Sequence, residues 1–205
     1  MTDNNRRVAL GAMIAAGMAG VAGTASAKTQ KSGQARDIDR LLSHWAVQEV
    51  LVGYARANDL QDEAMLRDCF WPESTHKHGR FEGKSQDFVG FAMKILTTLH
   101  YCAHHISNIS IQIEGDRAFS ECYYFAHHRR DAKTGGEEDA FMEGRYLDIL
   151  ERRDGVWKII RRHGISDYSS PAIPAATPYA DWPAGHTVRS KGDAYYMMLK
   201  AFREG

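Results

Sequence analysis

Ile109, Ile111 and Ile113 alternate with Ser110, Gln112 and Glu114 and lead directly into Glu114-Gly115-Asp116. A period of two that ends in a turn-forming tripeptide describes a half-buried strand closing into a hairpin, so the next segment must return antiparallel. That places a second strand at about 117–128. The longer turn DAKTGGEED follows, then a third strand over 140–152, and the Arg-Asp-Gly turn leads into a fourth over 156 to about 166. Upstream of Leu99 the period is that of a helix. Ile38, Leu41, Leu42, Trp45, Val47, Val50, Leu51 and Tyr54 predict a helix over 37–57. Met65, Leu66, Cys69 and Phe70 mark a shorter helix ended near Trp71 by Pro72. Phe88, Phe91, Ala92, Ile95 and Leu99 mark a third, with Ser85 as its expected cap. The loop at 73–84 should hold a further short strand or extended segment. Three N-terminal helices before an antiparallel meander define an α+β fold in which helices cover one side of a curved, cone-shaped antiparallel sheet.

Two hundred and five residues suit one domain with a sizeable core, and 26 basic against 26 acidic residues give no field for gathering phosphates, which argues against nucleic-acid binding. The first 27 residues read separately. Arg6 and Arg7, an apolar run from Val8 to about Val21, and Ala25 and Ala27 around Ser26 follow the order of a cleavable export signal. The arginine pair resembles a twin-arginine signal, although Asn5 and Val8 depart from its usual flanks. The expectation is an exported, periplasmic protein with no stable membrane insertion after cleavage; an uncleaved anchor is the alternative. Residues 28–36 read as a polar spacer and 169–205, with its clustered prolines, as an arm packed on the domain or on a partner subunit of a homo-oligomer. Cys69, Cys102 and Cys122 are an odd number without tight spacing and read as core cysteines.

Three stretches, YARANDLQDEAMLRDCFWPES, HHISNISIQIEGDRAFSE and GRYLDILERRDGVWKIIRRHGISDY, resemble the SnoaL-like branch of the nuclear-transport-factor-2-like (NTF2-like) superfamily over residues 37–168. The resemblance implies a cystatin-like cone with a polar site inside an apolar cavity. In related dehydratases and dehydrochlorinases that site pairs an aspartate after the first helix with a histidine on the sheet, and Asp59 and His104 match these positions. Tyr54 corresponds to a pocket tyrosine and Arg145 to the arginine of the Gly-Arg-Tyr-Leu-Asp element.

Such a set suits proton abstraction. A neutral imidazole can take a proton at neutral pH, and an aspartate on its other nitrogen fixes the tautomer and stabilises the imidazolium. Tyr54 could donate a hydrogen bond, and Arg145 could hold developing charge. The implied reaction is cofactor-independent elimination of water, or isomerisation, on a small apolar or aromatic molecule. The rival is a non-catalytic binding or interaction module, such as the small subunit of aromatic-ring dioxygenases. Each residue also has a plainer role available: Asp59 as cap of the second helix, Tyr54 as a core aromatic, Arg145 as partner of a surface carboxylate such as Glu121.

His105 shares the parity of the three isoleucines and His104 does not, so on a regular strand only one imidazole faces the cavity; parity leaves the choice open, and the resemblance favours His104. His163, on the parity of Trp157 and Ile159, is a further pocket candidate. His127 and His128 read as solvated hairpin surface. The spacings give no dense metal-ligand motif, nor a phosphate or dinucleotide loop, so neither metal nor cofactor is expected.

Overall fold

Helix α1 spans Ala19–Asp59 in the computed structural model, which describes residues 19–205. The start of the expected export signal therefore lies outside the described residues. Segment 28–36, expected to be a spacer, is helical: its Ala, Lys, Gln and Arg residues are good helix formers and continue into the helix anticipated from Asp37. The chain divides into two compact units, residues 1–42 and 43–205, and the sheet and the candidate site belong to the second.

Within that second unit α1 buries Val47, Leu51, Tyr54 and Ala57, while Trp45 stays exposed. A short helix, α2 (Glu63–Asp68), is capped by Asp62, whose carboxylate accepts from the Met65 N–H at 3.2 Å. Asp59 is thus released from the capping role open to it in the sequence. The extended segment expected within 73–84 is a hairpin that begins earlier than anticipated, with strand β1 (Phe70–His78), Pro72 near its start, and strand β2 (Phe81–Lys84). Helix α3 (Ser85–Leu96) begins one residue past its cap, Lys84, so Ser85 is helical and gives no side-chain cap. The meander comprises β3 (Leu99–Glu114), β4 (Arg117–Asp131), β5 (Glu137–Arg153) and β6 (Val156–Ser169). The sheet order is β2-β1-β6-β5-β4-β3, with β1 parallel to β6 and every other pairing antiparallel. The result is the expected α+β, cystatin-like architecture, a curved sheet that is mixed rather than purely antiparallel.

Two bulges set which side chains face the helices. Between Ser107 and Ser110 strand β3 advances three residues while β4 advances two, and Asn108 takes up the extra residue at φ +50°. Side-chain parity therefore reverses at this point. Cys102, His104 and Ile106 share a face with Ile109, Ile111 and Ile113, and His105 turns outward. Strand β6 repeats the device between Ile159 and Arg161, opposite the single step Ile149 to Leu150. Trp157, Ile159, Arg162 and Gly164 are consequently buried and His163 is exposed. Its expected place in the pocket was an extrapolation of parity across this bulge.

The arm is ordered on the domain. Its short strand β7 (Ile173–Pro174) pairs with β5, Tyr179 stacks on His100 at 5.9 Å, and Trp182 meets Tyr101 edge-on at 5.0 Å. A final helix, α4 (Ala194–Glu204), brings the Tyr196 hydroxyl to Asp62 at 2.5 Å, and Lys191 pairs with the same carboxylate. Among the described residues no helix is long and apolar enough to cross a membrane.

Candidate active site

The bulge at Asn108 aims the ring of His104 inward, where α1 ends in Asp59. His104 Nδ1 lies 2.8 Å from Asp59 Oδ1, with the histidine side chain 10% exposed and the aspartate 25%. An imidazole held this way has its Nδ1–H donated to the carboxylate and its Nε2 lone pair available. Cys102, two residues before on the same face, lies 3.6 Å from His104 Nδ1 and 3.9 Å from Asp59 Oδ1. Burial first, and then the neighbouring Asp59, push its thiol well above the ordinary range, so it stands as a neutral wall of the site. All three cysteines are buried and free of disulfides.

Around the pair the wall is aromatic and weakly basic. Tyr124 lies 6.5 Å from the His104 ring and stacks on Tyr146 at 4.6 Å. His78 packs against both tyrosines and Phe88. Gly164 makes room for it, since a Cβ there would stand 2.7 Å from the His78 ring. Burial, followed by the charge of Arg162, lowers His78 to about 4 and its neighbour His76 to about 2, so both are neutral near pH 7. His128, expected on the surface because it was read as a strand end, lies well inside β4. Its ring meets that of His104 at 5.7 Å, its Nε2 is buried without a hydrogen-bond partner, and burial lowers it to about 3.

Tyr54 and Arg145 do not join the His104–Asp59 pair. Tyr54 is 2% exposed and packs edge-on to Phe70 and Tyr146, with the Arg162 guanidinium 3.7 Å over its ring. Burial raises its hydroxyl above the usual tyrosine range. Arg145 occupies the outer sheet face and bonds Glu121 at 3.1 Å, with Asp167 at 3.5 Å. Besides Cys102, His78, His128 and the stacked tyrosines, sequence reading missed Arg162 and Asp148, a bidentate ion pair at 2.7 and 2.6 Å with both side chains 0% exposed. A signal for Asp148 existed, because it alternates with Tyr146 and Leu150 on a buried parity and a carboxylate there requires a partner. Arg162 was hidden by the bulge that inverted its strand.

A curved α+β sheet wrapped on helices, with a histidine–aspartate pair in an aromatic interior, defines a cone-fold protein built around one polar site. The sequence matches the SnoaL-like domain family over residues 39–163, and the chain belongs to that family. It is 24% identical over 142 residues to gamma-hexachlorocyclohexane dehydrochlorinase of Sphingobium indicum, spanning 66% of this chain and 87% of that one. Among solved structures it superposes on LinA (TM-score 0.60, 24% identity, 69% of this chain and 99% of the other). It also superposes on a type 2 LinA hexachlorocyclohexane dehydrochlorinase (TM-score 0.62, 22% identity, 73% and 99%). A candidate scytalone dehydratase from Novosphingobium aromaticivorans gives a TM-score of 0.57 at 21% identity, with coverage of 67% and 96%.

Proposed function

We propose that this chain is a lyase or isomerase that removes a proton from a small apolar ring molecule without an organic cofactor, with His104 as the base and Asp59 as its orienting partner. The carrying observation is the 2.8 Å contact between His104 Nδ1 and Asp59 Oδ1 in a mostly buried setting. In this reading Nε2 takes a proton from carbon while a leaving group departs from the adjacent carbon, and Asp59 stabilises the imidazolium that forms. Chloride or hydroxide are the leaving groups that the dehydrochlorinase and dehydratase relatives suggest. Tyr124 beside His104, backed by the buried Tyr146, suits an apolar ring, and neutral His78 keeps a second cation away from the base.

The test is incubation of the purified protein with chlorinated cyclohexanes and with hydroxylated cyclic ketones, following chloride release and the absorbance of the new alkene. Turnover should fall by about 10²–10⁴ in His104→Ala, with a similar direction in Asp59→Asn, while each variant stays folded. Turnover that survives unchanged in both variants would refute the assignment of the base.

The reading also includes export and self-association. The Arg6-Arg7 leader supports passage to the periplasm, checked by N-terminal sequencing of the periplasmic fraction. Phe119, Tyr123, Phe125 and Tyr168, exposed on the outer sheet face, support a homo-oligomer, checked by analytical ultracentrifugation.

A further inference from the structure

We propose that Cys102, His104 and His128, with Asp59 as fourth donor, form a binding site for a zinc-class divalent cation, and that the occupied site and the base-competent form of His104 exclude each other. Cys102 and His104 alternate on one face of β3, and His128 is the direct cross-strand partner of Cys102 on β4. One ligand atom from each of the three lies within 4.8 Å of the others. With metal–sulfur and metal–nitrogen bonds of about 2.3 and 2.05 Å, a tetrahedral ion separates a thiolate from an imidazole nitrogen by about 3.6 Å. The Cys102 Sγ to His104 Nδ1 distance is 3.6 Å. Asp59 Oδ1, a hydrogen-bond acceptor 2.8 Å from that nitrogen and 3.9 Å from the sulfur, is near enough to become the fourth donor once the Nδ1 proton has gone, its separation from the nitrogen opening to the roughly 3.3 Å that a tetrahedral ion sets. His128 Nε2 is an independent pointer, a buried nitrogen with no hydrogen-bond partner.

The donor chemistry selects the ion. One thiolate and two imidazoles suit zinc or its borderline neighbours and disfavour calcium or magnesium, and one thiolate with one carboxylate balances a dication. Binding releases the Cys102 proton to solvent. His104 donates the Nδ1 lone pair to the ion, so its single ring proton moves to Nε2, the nitrogen that would otherwise take the substrate proton. Chemistry at carbon and cation binding thus compete for one imidazole, which makes the cation an inhibitor. This inference goes beyond the proposed lyase reading, since the site would bind the ion whether or not His104 is a base.

The test uses the full chain and Co²⁺ alone as an optical probe. One equivalent should give tetrahedral visible bands and a thiolate-to-cobalt band in the near ultraviolet, both bleached by Zn²⁺. Cys102→Ser should abolish the near-ultraviolet band, and His128→Gln, on the other strand, should weaken Co²⁺ binding by at least about tenfold. Far-ultraviolet circular dichroism verifies that each variant is folded. Wild-type protein without the thiolate band in excess Co²⁺ overturns the proposal whatever the variants do. So does a band that survives in Cys102→Ser, because it would belong to Cys69 or Cys122. If His104 is not a base but the site is real, the bands appear although no elimination is ever detected.

Discussion

Removing one partner of the buried Arg162–Asp148 pair should be among the most damaging single changes in this protein. The guanidinium donates two hydrogen bonds to the carboxylate and lies 3.7 and 4.5 Å over the rings of Tyr54 and Tyr146. Burial opposes its charge, but Asp148 more than restores it, and the arginine is held above its ordinary range. Asp148→Leu leaves a fully buried cation facing only ring faces, a change that costs about 3–5 kcal/mol when one member of a buried pair is lost. For a unit of this size each kcal/mol lowers the unfolding midpoint by about 2–4 °C, so the midpoint should fall by about 10 °C. Replacing both residues, Asp148→Leu with Arg162→Met, removes the pair together and should recover most of that loss, because matched apolar replacements of buried pairs are often neutral. Thermal unfolding of the two single variants and the double variant closes the cycle. Losses that simply add would refute the claim that the two charges are held for each other.

Mild acid should destabilise the fold through its buried histidines. His76 and His78 are lowered to about 2 and about 4, chiefly by burial, so below the unfolded value of 6.5 the unfolded chain takes up protons that the folded chain refuses. Their penalty is absent above pH 6.5 and reaches about 2 kcal/mol for each at pH 5, read as a falling urea midpoint that His76→Phe should partly abolish. Gly144→Ala would place a Cβ 1.9 Å from the Ile165 carbonyl oxygen and 2.7 Å from the Tyr124 hydroxyl, so backbone must shift. A loss of about 1–3 kcal/mol or more, with altered near-ultraviolet dichroism from Tyr124, is expected in thermal unfolding. Asp62→Ala removes the α2 cap and the contacts of Lys191 and Tyr196 together. It should cost about 0.5–2 kcal/mol and speed proteolytic cleavage beyond residue 169, whereas unchanged cleavage would show that the arm is held elsewhere.

Much of the architecture was written in local pattern. The change of period at Leu99 and the Glu-Gly-Asp and Arg-Asp-Gly turns yielded the meander, whereas the pairing of Asp59 with His104 came from the family resemblance and not from local pattern. What pattern could not carry was phase across a bulge. The alternation at Ile109 to Ile113 put His105 on the isoleucine face, and that at Trp157 and Ile159 put His163 inside; both extrapolations took two residues per pleat without interruption. Strand β1 was obscured for another reason. Pro72 and the polar run after it resemble a loop, and only pairing with β6, almost ninety residues later in sequence, makes them a strand. The grouping of Cys102 with His128 is equally non-local, since a cross-strand neighbour has no spacing signature.

The extra residue at Asn108 has a consequence for how this chain can change. If the strand kept every residue but lost the bulge, it would have to choose: keep the isoleucines inward and present His105 to Asp59, or keep His104 and turn the isoleucines to water, because His104 and Ile109 are an odd number of residues apart. Neither choice is silent. Deleting Asn108 escapes the choice, since His104 and Ile109 would then stand an even number of residues apart and share the inner face of a regular pleat; the bulge and its extra residue can be lost together but not the bulge alone.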